Sequence, residues 1–238
     1  MNPIIKKFQE AKNNNKLVIL EGFHPIKHAL RFGAVINKIY TNDIKNLNLL
    51  IQSNSPDLTD QFQKKVTLID TEIYNQLCKH TPKTFAVAIA SKPQYYFEES
   101  IKKPGVVVFL ENIKSLDNFG AVVRVCAARS ILAVCLSGTI DPFHSTCLRA
   151  SRGLHFAIPI FKINTLPKTS KSIIVFDENG TNLTKNSLPK NAILVFGSER
   201  VGVSSLTKEK ADKIVCIPMQ PKVSSLNLAT SVAIAIYS

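Results

Sequence analysis

The sequence predicts an α/β protein in two parts, the second built on a mainly parallel sheet with helices on both faces. Three observations carry that expectation. Short apolar runs rich in Val and Ile (VVVFL at 106–110, ILAVCL at 131–136, IIVF at 173–176, AILVF at 192–196, KIVC at 213–216) alternate with segments of helical pattern, the order that parallel α/β sheets require. Runs of this length without polar interruption suit strands buried on both faces. The periodic pattern lapses over 91–103, SKPQYYFEESIKK. The 238 residues therefore divide into 1–95 and 104–238, each of ordinary domain size.

Taken in order, residues 1–15 read as a short basic helix. KLVILEGFHPIKHALRFG is a strand ending at Glu21-Gly22 and then a helix, with Pro25 in its first turn and Gly33 just past its end. A strand follows at 35–41, and a helix at 46–54 with Leu47, Leu50 and Ile51 on one face. Residues 66–69 form a strand, Asp70 caps a helix that runs to Cys78, and 85–90 form another strand. His24, His28 and His80 occur singly here and read as packed or surface side chains. In the linker, Tyr95, Tyr96 and Phe97 are expected to anchor the chain to a neighbour.

Pro104-Gly105 opens the second part. Its first strand, 106–110, ends at Glu111-Asn112, and after a loop a helix covers 120–129. A strand at 131–136 follows; HSTCLRASRG is helical to Gly153, and HFAIPIF is extended. The strand at 173–176 ends at Asp177-Glu178. Two closing units come last, each an apolar run breaking into a loop of Gly, Pro, Ser and Glu and then into a helical segment. Loops at the carboxyl ends of such strands are where open α/β sheets bind ligands.

Charge narrows the class of partner. Thirty Lys and Arg against 17 Asp and Glu leave +13, a field that favours a polyanion, nucleic acid before a membrane surface. Lysine supplies 24 of the 30, as a generally lysine-rich proteome would also give; of the six arginines, all but Arg31 lie between 124 and 200. No apolar run reaches 18 residues, so no membrane span is expected. The first residues lack a secretory apolar core, which points to a cytoplasmic protein. The five cysteines form no CxxC pair and read as reduced, mostly buried thiols, with no metal site.

Familiar nucleotide motifs fail on their chemistry. GSERVGVS at 197–204 has glycines spaced as in a phosphate-binding loop, but Val203 stands where the lysine must be and Glu199 repels phosphate. No GxGxxG follows 106–110, and there is no GxSxG nucleophile elbow. Three clusters remain: NFGAVVR from Asn118 to Arg124, Gly197-Ser-Glu199, and Ile217-Pro-Met219 with Ser225-Leu-Asn227. Each alone has a structural reading: Asn118 as a helix cap, Arg124 as a surface cation, Glu199 as a solvated charge, and Ser224 as the last cap with Asn227 in the first turn.

Together and in this order the clusters resemble the SpoU (TrmH-like) branch of the SPOUT RNA methyltransferases. ENIKSLDNFGAVVR resembles the first motif of that family, ILVFGSERVGVS its second and CIPMQPKVSSLNLATSVAIAIY its third; RASRGLHFAIPI is similar to the segment between the first two. GFHPIKHAL is similar to the L30e-like domain that precedes the catalytic domain in ribosomal-RNA enzymes of this type. Arg200 and Arg152 depart from the pattern, standing where glycine or a small residue is commoner.

The resemblance implies an L30e-like RNA-binding domain at 1–95 and a SPOUT catalytic domain at 104–238 whose C-terminal segment makes a trefoil knot. Such a topology is one that general rules of chain connection would discard. It implies 2'-O-methylation of RNA ribose with S-adenosylmethionine as cofactor, no metal, and a homodimer. By resemblance Arg124 is the central catalytic residue with Asn118, Glu199, Ser225 and Asn227 around it, and Gly197, Ile217, Met219 and Leu226 hold the cofactor. The apolar stripe Leu226, Ala229, Val232, Ala233 and Ile236 can supply the packed face of that dimer or cover its own sheet, and periodicity alone does not choose. Ribosomal RNA, 23S in this type, is favoured as substrate; a transfer-RNA enzyme of the same branch and a non-catalytic RNA-binding module are the alternatives.

Overall fold

Every apolar run named above forms a strand in the computed structural model, which describes residues 2–78, 85–223 and 225–238; His80 and Ser224 lie outside them. Two units separate by their internal contacts: residues 1–94 with 152–157, and residues 95–151 with 158–238.

The first unit runs α1 (Pro3–Lys12), β1 (Leu17–Glu21), α2 (Phe23–Arg31), β2 (Ile36–Thr41), α3 (Ile44–Asn54), α4 (Thr59–Gln63), β3 (Val66–Leu68), α5 (Thr71–Leu77) and β4 (Val87–Ser91). Its sheet has the order β1-β4-β2-β3, with β2 and β3 parallel and the other pairs antiparallel. Helix starts follow local chemistry. The Asn2 side chain accepts from the Ile4 N–H ahead of Pro3, and that of Asp43 accepts from the Asn46 N–H at 3.0 Å. Asp70 holds the corresponding place before α5 but makes no side-chain cap bond. Leu47 and Ile51 face the core, as their spacing predicts.

Residues 152–157 belong to this unit although they follow the helix Ser145–Ala150 of the other in sequence. They form a short 3-10 turn, Leu154–Phe156, where an extended run is expected from the sequence. The turn is entered through two left-handed residues, Arg152 (φ 54) and Gly153 (φ 78). A Cβ on Gly153 would stand 2.5 Å from the Pro25 Cα, so only glycine lets this backbone lie flat on α2. His28 Nδ1 lies 2.6 Å from the Arg152 carbonyl and ties the segment down.

The second unit runs α6 (Phe97–Lys102), β5 (Val107–Leu110), α7 (Leu116–Ala128), β6 (Ala133–Leu136), α8 (Ser145–Ala150), β7 (Ile160–Lys162), β8 (Ser172–Asn182), β9 (Ala192–Phe196), α9 (Ser205–Lys208), β10 (Lys213–Cys216) and α10 (Leu228–Tyr237). The six strands pair in the order β10-β8-β9-β5-β6-β7, all parallel. Alternate residues of the central strands serve opposite faces. Val108, Leu110, Val134, Leu136 and Leu194 pack with Phe119, Val122 and Val123 of α7 and with Val232 and Ile236 of α10. Val107, Phe109, Cys135, Ile193 and Val195 pack with Ile101 of α6 and with Val203.

Four local readings change. The stretch 91–103 holds α6 rather than a bare linker: Phe97 meets Phe161 edge-on at 5.2 Å and Ile101 is buried, while Tyr95 and Tyr96 stay exposed. Helix α7 begins at Leu116, not near 120, because Ser115 is the cap and accepts from the Asn118 N–H. Strand β8 runs on to Asn182 through a register shift opposite β10. The stripe open to a dimer face or to its own sheet is largely spent inside: Ala229, Val232 and Ile236 belong to the core of their own unit.

Burial pushes the Cys126 thiol up and raises Cys135 and Cys147 to about 12. The buried Lys171 amine donates to the carbonyls of Lys103 (2.7 Å) and Gly105 (2.9 Å) and to Asn191 Oδ1 (2.6 Å), closing the entry to β5 and β8.

Gly153→Ala is expected to destabilise the protein by about 1–3 kcal/mol, since the new methyl meets backbone and the left-handed φ is retained. Urea denaturation followed by far-ultraviolet circular dichroism measures it; an unchanged midpoint would show that the turn does not need glycine.

Candidate functional site

The carboxyl ends of β8, β9 and β10 open into a cavity of about 800 Å³. Three segments line it: residues 176–179 and 182 in the second half of β8, residues 197–202 after β9, and residues 217–223, 225 and 226 between β10 and α10. Phe176 and Phe196 stack on one side of it, centroids 4.5 Å apart and planes 11° from parallel. Asp177 and Lys208 pair on its wall at 2.5 Å. Burial alone would raise the Asp177 carboxyl; hydrogen bonds from Lys208 and Asn179 outweigh it and hold the group below the usual carboxylate value.

The loop after β9 is a tight return. The Gly202 N–H donates to the Ser198 carbonyl at 2.8 Å, and a Cβ on Gly197 would stand 2.0 Å from the carbonyl carbon of Gly202. Backbone rather than side chain therefore faces the cavity at this point. What fixes the loop is Glu111, at the end of β5. Its buried carboxylate accepts from the Ser204 N–H (2.7 Å), the Ser204 hydroxyl (2.9 Å) and the Thr207 hydroxyl (2.6 Å). Sequence reading took Glu111 only for a strand end. An acid directly after an all-apolar strand, with Ser and Thr following the next strand but three, was the signal available.

Among the catalytic candidates, Asn118, Glu199 and Asn227 come together from three separate segments. Asn118 Nδ2 donates to Glu199 Oε1, and Asn227 Nδ2 donates to Asn118 Oδ1 at 2.9 Å. Asn227 Oδ1 accepts from the Ala229 N–H at 2.9 Å. Asn227 is thus itself the cap of α10, not a first-turn residue. The amide of Asn118, able to donate and accept at once, joins an acid to a helix start. Ser225 lines the cavity, as do Gly197, Ile217, Met219 and Leu226.

Arg124 is not drawn in. It is exposed on α7, does not line the cavity, and has no hydrogen-bond or ion-pair partner among the described residues. Arg129, five residues on, points elsewhere: its Nε donates to the Ile236 carbonyl at 3.1 Å and its guanidinium lies over the Tyr237 ring. Among the described residues no three His, Cys, Asp or Glu side chains gather as a metal site, and no helix is long and apolar enough to cross a membrane.

A parallel α/β sheet with a ligand-sized cavity at its carboxyl edge, whose lining acid Glu199 is bonded to Asn118 and through it to Asn227, defines a small-molecule-binding α/β protein. The family model for the SpoU rRNA methylase family matches residues 105–237, more than half of the chain, and the chain belongs to that family. It is 29% identical over 246 residues to the 23S rRNA (adenosine(1067)-2'-O)-methyltransferase of Streptomyces azureus, covering 98% of this chain and 90% of that one. It is 25% identical over 244 residues to the 23S rRNA (guanosine(2553)-2'-O)-methyltransferase RlmP of Bacillus subtilis, covering 98% and 92%. Its fold is shared with the SpoU methyltransferase AviRb of Streptomyces viridochromogenes in complex with AdoMet: TM-score 0.78 at 18% identity, over 100% of this chain and 96% of that one.

Glu111→Ala leaves three donors without their acceptor and is expected to cost about 2–4 kcal/mol, with faster hydrogen exchange at the Ser204 and Thr207 amides. Exchange at native rates in that variant would show that the loop holds without the carboxylate.

Proposed function

We propose that this chain is an S-adenosylmethionine-dependent RNA 2'-O-ribose methyltransferase that acts on 23S ribosomal RNA. The observation that carries the reading is the cavity at the ends of β8, β9 and β10 with Asn118, Glu199 and Asn227 joined beside it. Ribosomal rather than transfer RNA is favoured because relatives named as 23S rRNA enzymes align over 98% of the chain, first unit included.

The residues present suit the cofactor. A volume of about 800 Å³ falls in the ligand range of ~300–1,000 Å³. Its lining offers backbone edges at Gly197 and Ile217 with apolar Met219 and Leu226, a setting for a nucleoside and a thioether chain. Bound there, S-adenosylmethionine supplies a methyl carbon already activated by positive sulfur, so no metal is needed. The remaining work belongs to the chain: holding a ribose 2'-hydroxyl in line and lowering the cost of removing its proton.

Arg124 grips the phosphate beside the target ribose and stabilises the developing alkoxide; a guanidinium with its charge unspent suits that task and serves poorly as a base. Asn118, Glu199, Ser225 and Asn227 orient the acceptor side of the cavity.

The first unit is the L30e-like domain that selects the RNA, in the cytoplasm. Loops or bulges are the accessible targets, because a flipped-out nucleotide exposes its ribose. The C-terminal segment is the trefoil knot. Its support is the path from β10 at the sheet edge, through a loop that shares the cavity with residues 197–202, to α10 against α7 at the sheet centre. A homodimer completes the assembly. Val201 and Leu206, 84% and 72% exposed, and Tyr237 on α10 are apolar surface beside the cavity loops and last helix that a second copy would cover.

The test is single-turnover methyl transfer to 23S ribosomal RNA with the modified ribose mapped. Arg124→Ala should keep its affinity for S-adenosylmethionine and lose about 10²–10³ in rate, the usual effect of removing one oxyanion-stabilising donor. Arg124→Lys should recover little, because an ammonium lacks the two-pronged grip. Near-normal transfer by Arg124→Ala would make the residue a surface cation and the mechanism wrong. Light scattering at micromolar concentration should give twice the chain mass of 26.3 kDa; a monomer would remove the dimer.

A further inference from the structure

We propose that Lys27, Arg31 and Arg152 form a phosphate-gripping site on the first unit, where RNA backbone away from the target nucleotide docks. The inference rests on the RNA methyltransferase reading and adds to it a specific set of contacts outside the cavity.

Lys27 and Arg31 lie one turn apart on α2 and share a face. Two like charges so placed repel, and an isolated helix loses stability by it. The fold adds a third cation. The segment 152–157 lies on α2 with the Gly153 backbone against Pro25 and the Arg152 carbonyl 2.6 Å from His28 Nδ1, in the turn of helix next to Lys27. Burial first, then the positive charges of Arg31 and Arg152, hold the Lys27 amine below the usual lysine value. All three cations therefore share one field.

One carboxylate opposes them. Asp57 accepts two bonds from Arg31 Nη2, at 2.6 and 2.8 Å, and one from Nε at 3.1 Å. Three cations against one anion leave two positive charges unbalanced. The Arg152 guanidinium has no hydrogen-bond or ion-pair partner among the described residues, and the residue is exposed. Its backbone is also left-handed, φ 54, a conformation that strains a non-glycine residue. Core packing does not account for an exposed arginine at a strained position beside two like charges. A polyanion does: phosphodiester oxygens accept from guanidinium and ammonium together and relieve the repulsion. The three cations lie on one patch of the first unit, so they grip neighbouring phosphates rather than read bases.

The experiment is equilibrium binding of full-length protein to a 23S ribosomal RNA transcript across a salt series. Each lost phosphate contact should shrink the slope of log affinity against log salt by about 0.7–0.9. Lys27→Gln/Arg31→Gln/Arg152→Gln together should lower the slope by about two to three contacts, with S-adenosylmethionine affinity and melting temperature unchanged. The Lys27→Gln/Arg31→Gln pair leaves the docked segment untouched and should lower it by one to two contacts whether or not the Arg152 change perturbs folding. Wild-type affinity and slope in both variants, alongside a wild type that methylates the RNA, overturn the site and leave the enzyme reading intact. A wild type that neither binds nor methylates ribosomal RNA overturns both.

Discussion

The Glu111 carboxylate is the constraint on which the cavity depends. A buried acid is expensive to desolvate, and this one is held by three donors from a single short stretch, Ser204 to Thr207. That stretch closes the loop after β9, so the carboxylate at the end of β5 sets where Gly197 and Glu199 sit. Because β5 and β9 are already neighbours in the sheet, the anchor acts over a short and stiff path. The Glu199 position then determines which way the Asn118 amide faces, and Asn118 in turn determines where α10 starts. Removal of any member leaves a polar group without its partner, which is why acids and carboxamides rather than apolar contacts hold this rim.

The strands were legible because their signal is local. VVFL, AVCL and AILVF are buried along their whole length, and no exposed alternation competes with that pattern. Helix starts were less legible, since several Ser and Asn residues compete for each cap: Ser115 displaced Asn118, and Asn227 takes a place assigned from sequence to Ser224. Helix α6 was missed although Glu98 and Glu99 in its first turn and Lys102 in its last match the helix dipole; Pro93 and the paired tyrosines before it masked the period. The α10 stripe was legible as a packed face, and Ala229, Val232 and Ile236 are covered within their own unit; periodicity alone cannot say which surface does the covering.

The site is a different case. Asn118 and Glu199 are 81 residues apart, Asn118 and Asn227 109. No spacing rule links positions so distant, and only the family pattern placed them together. Arg124 remains apart from them within one chain, on an exposed turn of α7. A charge held ready but unspent fits a residue whose partner arrives with the substrate.

Lys171 carries a consequence of another kind. Its ammonium has spent its three donors on three neutral oxygens, and its stem is buried. Burial lowers its proton affinity, so the free amine forms more readily than on a surface lysine, yet no reagent reaches it while the entry to β5 and β8 stays closed. Most of the other described lysines are exposed and open to acylation. Lys171 is therefore expected to acylate only when the second unit opens, which would make it a built-in chemical clock for that opening, readable by mass without any label engineered into the chain.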